Sequence, residues 1–105
     1  MSNALVVHFS GAMPPDRLAA LRESLNLHPR GRLTDAEDAN FGYRQLQHDD
    51  ENWITLDLWR QSDTEWSLDL TYLKTPPAAE TLDETLSSIR GAVTELGFTI
   101  GRVDR

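Results

Sequence analysis

Residues 53–74 read Trp53-Ile54-Thr55-Leu56-Asp57-Leu58-Trp59-Arg60, then Gln61-Ser62-Asp63-Thr64-Glu65, then Trp66-Ser67-Leu68-Asp69-Leu70-Thr71-Tyr72-Leu73-Lys74. Successive side chains of a strand point to opposite faces of its sheet, so the two alternating runs predict a β-hairpin around the polar separator. One face collects Ile54, Leu56, Leu58, Trp66, Leu68, Leu70 and Tyr72. The other collects Trp53, Thr55, Asp57, Trp59, Ser67, Asp69 and Thr71. A hairpin centred on Asp63 sets Asp57 directly across from Asp69, and like charges so opposed weaken a sheet by roughly 0.2–1 kcal/mol. An arginine from the next strand, a basic group on a partner or a cation would offset them.

A third β-type run, Phe41 to Gln47, precedes the pair and is separated from it by His48-Asp49-Asp50-Glu51-Asn52, so the three runs form an antiparallel meander. Its register has two solutions. With a four-residue loop at 49–52, Arg44 faces Asp57. With a five-residue loop, Gln45 does, Arg44 points inward and Leu46 is buried. The open face then reads Tyr43, Gln45, Gln47, Trp53, Thr55, Asp57, Trp59, Ser67, Asp69 and Thr71.

Two helices flank the meander. Leu5-Val6-Val7-His8-Phe9 predicts a first strand ending at Ser10-Gly11. Pro14-Pro15-Asp16 then opens a helix with Leu18, Leu21 and Leu25 on its inner stripe and Arg17, Arg22 and Glu23 in water. That helix is expected to stop at Asn26 to His28, ahead of Pro29, with His28 at its negative end. Arg30 to Asn40 reads as a connection in which Arg32-Leu33-Thr34 suits a short edge strand. Downstream, Thr75 as cap with Pro76 in the first turn, or a capping box from Thr81 to Glu84, starts a second helix. Its stripe is Leu82, Leu86, Ile89, Val93 and Leu96, the strongest periodic signal in the chain. Gly97 caps it, and Phe98 to Val103 forms a last strand.

The order β-α-β-β-β-α-β predicts one α+β domain over residues 1–105, a two-layer sandwich of a mostly antiparallel sheet with both helices packed on one face. The 105 residues carry 17 acidic and 10 basic side chains, a formal charge of −7, and no cysteine. The field of such a chain repels phosphate backbones and anionic lipid, which argues against nucleic-acid and membrane partners. No apolar run approaches a membrane span, no secretory leader is recognisable, and the lack of thiols suits a reducing cytoplasm, the expected location.

Catalytic signals are absent. The serines lie in no Gly-x-Ser-x-Gly elbow, the glycines form no phosphate loop, and His8, His28 and His48 have no zinc-ligand spacing. Asp35, Glu37, Asp38 and Asn40, like Asp49, Asp50 and Glu51, do not follow the calcium-loop pattern. No catalytic residue, metal or cofactor is therefore assigned, and an enzyme is the less favoured reading. The expected role is a small acidic protein-binding module, of the immunity or antitoxin inhibitor type, that neutralises a basic protein partner. Tyr43, Trp53, Asp57, Trp59 and Asp69 would supply its binding face, with Asp49, Asp50 and Glu51 engaging basic side chains. The alternative is a small-ligand domain or cofactor-free enzyme of the dimeric α+β barrel kind, in which a homodimer encloses a pocket lined by Trp53, Trp59, His8 or Tyr43.

Overall fold

A computed structural model describes residues 1–105. Its elements are β1 (Ser2–Ser10), α1 (Pro15–Ser24), β2 (His28–Pro29), β3 (Asn40–His48), β4 (Trp53–Arg60), β5 (Glu65–Tyr72), α2 (Ala79–Glu95) and β6 (Thr99–Asp104). The six strands form one sheet in the order β2-β3-β4-β5-β1-β6, and every neighbouring pair is antiparallel. This is the expected two-layer α+β fold, with one additional short strand. No helix is long and apolar enough to cross a membrane.

The alternation read from residues 53–74 decides which face is covered. Leu56, Leu58, Leu68 and Leu70 are fully buried, joined by Leu5 and Val7 of β1 and by Leu18, Leu21, Ile89 and Val93 of the helices. Each such side chain contributes roughly 1.5–3 kcal/mol before conformational entropy is subtracted. Aromatic pairs fill the ends of this layer. Phe41 meets Trp66 edge-on at 5.3 Å, and Phe9 meets Phe98 at 5.1 Å.

Both helices stop by the same device. After α2, Gly97 adopts φ +88°, its N–H bonds the Thr94 carbonyl, and the Phe98 N–H bonds that of Val93. After α1, Asn26 takes φ 56°, with Asn26 N–H on Glu23 and Leu27 N–H on Arg22. Two bonds closed around a left-handed residue satisfy carbonyls that a helix end otherwise leaves open. Asparagine is among the few non-glycine residues that tolerate this conformation, so α1 ends before the position that Pro29 alone would dictate.

Several local expectations are corrected. His28 belongs to β2, paired with Tyr43 and lying 5.3 Å from its ring, and not to a helix end. Arg32 to Thr34 is not a strand, because the edge pairing is taken by His28–Pro29 instead. Arg22 is not free in water: its Nε donates to the Phe41 carbonyl at 2.7 Å and its second nitrogen to the Arg30 carbonyl at 2.6 Å. Burial lowers its pKa from the ordinary value, yet a guanidinium remains charged, and the fork ties α1 to Arg30, just after β2, and to Phe41 of β3.

Neither Thr75 nor Thr81 caps α2, which starts at Ala79 with Ala78 at the cap position. The reason lies 23 residues upstream. The buried Asn52 accepts the N–H groups of Lys74 and Thr75 on its Oδ1 and donates Nδ2 to the Thr75 carbonyl, holding this bend against the β3–β4 hairpin.

The β3 register starts as the four-residue solution and then departs from both. The hairpin loop is the four-residue one, with His48 across from Trp53 and Gln47 across from Ile54. A bulge between Gln45 and Gln47 then shifts the pairing, so that Gln45 meets Thr55, Arg44 meets Leu56 and Tyr43 meets Asp57. The extra residue is Leu46, which packs against the core. Bulging lets the apolar side chain turn inward without lengthening the loop. The expectation that Arg44 or Gln45 faces Asp57 is thus replaced by Tyr43, and Gln47 leaves the open face because it shares the Ile54 side of the sheet.

Candidate functional site

The face turned away from both helices carries, from one edge to the other, His28, Tyr43, Asp57, Asp69, Val6 and Asp104 in one cross-strand row. A second row places Trp59, Ser67 and His8 side by side, and a third places Gln45, Thr55 and Thr71. Trp66 is the tryptophan beneath the helices, only 1% exposed, whereas Trp53 and Trp59 point the other way. The sequence reading of Tyr43, Trp53, Asp57, Trp59 and Asp69 therefore describes one surface.

Its centre is the Asp57–Asp69 pair, directly opposed as expected. Burial pushes both carboxyls above the usual carboxylate range. For Asp57 the Asn40 amide and the Arg30 charge pull back, and for Asp69 the Ser67 hydroxyl and His8 do so. Asn40 Nδ2 donates to Asp57 Oδ1 at 3.0 Å. Asp69 Oδ1 and Asn40 Oδ1 are buried and have no hydrogen-bond partner. Neither carboxylate has an ion pair: the three in the molecule are His8–Asp104, Arg102–Asp104 and Arg105–Asp83. The internal arginine considered as a counter-charge, Arg44, faces Leu56 on the opposite side of the sheet.

Trp53 lies at the hairpin pole, 42% exposed, with its ring 4.8 Å from that of His48. Beside it Leu73 is 44% exposed, and its N–H bonds the Trp53 carbonyl at 3.0 Å. The two line a shallow cavity of about 210 Å³ with Asp49, Asp50, Asn52 and Lys74. Leu73 was missed in the sequence reading, although extending the β5 alternation by one residue places it on the open side. Asp49 is a turn residue as much as a surface charge. The Gln47 amide and the N–H groups of Asn52 and Glu51 donate to its carboxylate and hold it below the usual range. Asp50 and Glu51 are exposed, and the Asp50 carbonyl accepts Lys74 Nζ. The proposed residues thus fall into an apolar, acid-rimmed pole and a carboxylate-centred middle.

One clamp supports the middle. Arg60 donates to the carbonyls of Leu33, Asp35 and Asp38 at 3.2, 2.6 and 2.8 Å, and its guanidinium lies 4.6 Å from the Phe41 ring centre. It folds residues 33–38 over the end of β4, where Asn40 sits across from Trp59 and reaches Asp57. Arg60→Ala is expected to cost about 1.5–3 kcal/mol, because three carbonyls lose a charged donor. Denaturant titration measures that loss. Arg60→Lys should recover only part of it, since an ammonium cannot reproduce the planar fork.

The fold defines a two-layer α+β protein with one sheet face that neither helix covers, and that face carries aromatics and two carboxylates without ion pairs. The chain matches no known family model, no curated protein and no solved structure.

Proposed function

We propose that this protein is an acidic binding module that docks a basic protein on its open sheet face and acts as an inhibitor of the immunity or antitoxin type. The observation that carries this reading is the Asp57–Asp69 pair: two carboxylates, half-withdrawn from water and directly opposed, with no ion pair to either of them from within the chain. Folding alone gains nothing from that arrangement, whereas a partner carrying positive charge converts it into attraction. Trp53, Leu73, Trp59 and Tyr43 provide the flanking contact area, and tryptophan and tyrosine concentrate binding energy where they become desolvated. A net charge of −7 steers a cationic partner toward the face and raises the association rate.

The test is calorimetric binding of wild type, Trp53→Ala, Trp59→Ala and Asp57→Ala to the basic proteins encoded beside this chain's reading frame. The expected result is one partner bound by wild type, with affinity falling about tenfold or more for Asp57→Ala and Trp59→Ala, or roughly 1.4 kcal/mol each. Equal affinity across the four proteins, or no binding to any candidate, overturns the reading.

A further inference from the structure

Resting on the reading of this face as a docking surface, we propose that the Asp57–Asp69 pair, walled by Tyr43 and Trp59, is the seat of a single arginine side chain presented by the partner. The register fixes the seat. Asp57 has Asp69 across from it on β5 and Tyr43 across from it on β3, and Trp59 is the next residue of β4 on the same face.

The seat is short of donors. Asp57 receives one hydrogen bond, from Asn40, while Asp69 Oδ1 and Asn40 Oδ1 are buried acceptors with none. Buried acceptors are costly to leave open, and a ligand rich in N–H groups is what they lack. A guanidinium presents five such groups in one plane and spans two carboxylates, where an ammonium offers a compact, strongly hydrated point charge. The walls make the same choice, because guanidinium stacks on phenol and indole faces. The chain already does this once beside the seat: Arg30 lies 4.2 Å from the Tyr43 ring centre, on the strand next to Asp57, and forms no ion pair with it. A second guanidinium entering from the partner meets carboxylates without ion pairs and, in Trp59, an indole with no cation over it.

The experiment uses the intact protein and two capped tripeptides, Gly-Arg-Gly and Gly-Lys-Gly, titrated at constant ionic strength while amide and indole signals are followed by NMR. The arginine peptide is expected to saturate shifts at Asp57, Asp69 and the Trp59 indole with a Kd on the order of 1 mM. The lysine peptide should bind at least about fivefold more weakly. Asp57→Asn and Asp69→Asn, which keep side-chain volume, should each weaken the arginine peptide about fivefold or more, and Glu80→Gln, in the exposed first turn of α2, should leave it unchanged. Equal responses to the two peptides, shifts confined to residues 49–51, or saturation of the same signals by calcium chloride at lower concentration would overturn the seat. If the peptides fail while Trp59→Ala and Asp57→Ala still weaken the protein partner, the arginine seat falls and the docking face stands. Failure of both removes the face as well.

Discussion

Trp66→Ala is expected to destabilise the protein by about 3–5 kcal/mol, while Trp53→Ala changes stability by under about 1 kcal/mol. The two residues are chemically identical and sit on neighbouring strands, so the contrast isolates the side of the sheet. Trp66 is buried beneath the helices with its ring edge against Phe41. Removing it leaves a void that close-packed neighbours cannot fill. Trp53 is 42% exposed and touches His48 at the hairpin pole, so its loss returns little surface to water. Denaturant midpoints at an unchanged slope measure both effects. Equal losses would mean that the supposedly bare side is packed, and the docking proposal would lose its surface.

Asp69→Asn is expected to do two opposite things: stabilise the folded chain at neutral pH and weaken its partner complex about tenfold or more. Because burial raises the carboxyls of Asp57 and Asp69 above their unfolded values, the folded chain holds these protons more firmly than the unfolded chain does. Their contribution to stability is complete below the ordinary carboxylate value of about 4 and is lost as pH rises through the raised folded values. At pH 7 the substitution removes one of two opposed charges, for a gain of roughly 0.2–1 kcal/mol. That gain vanishes below about pH 4, where wild type carries a neutral pair. Asp49 behaves in the opposite sense, since hydrogen bonds lower its carboxyl, and its contribution is present above the unfolded value and lost as pH falls through the folded one. Thermal unfolding of both proteins across pH 3–8 checks these signs. A purely structural aspartate would lose stability on substitution; one retained for binding gains it.

The architecture was legible because its two main signals are periodic. Alternation in residues 53–72 assigned Leu56 and Leu68 to one side and Asp57 and Asp69 to the other, and the Leu82-to-Leu96 stripe placed α2 on the covered side. What was not legible is set by contacts distant in sequence. Asn52 ties down Thr75, 23 residues away and ahead of α2, and Arg22 and Arg60 hold carbonyls of the 30–41 segment that no spacing rule connects to them. The Leu46 bulge escaped because either uniform register satisfies only one of Arg44 and Leu46 with a continuous strand, whereas a single extra residue satisfies the leucine without altering the turn. At the candidate site, residue type and face were readable, but the division into a hairpin pole and a carboxylate middle depended on Leu73 and Asn40, whose roles come from the folded neighbours.

The irregular rims of the sheet have a further consequence. Beyond the two-residue β2, with its Pro29 lacking an N–H, the outer margin of β3 is broken by the Leu46 bulge, and the β1–β6 pairing slips between Val7 and Phe9. Straight, unbroken margins are what allow copies of a β protein to zip together into ribbons and fibrils, and neither margin here offers one. A sheet with such margins resists self-polymerisation.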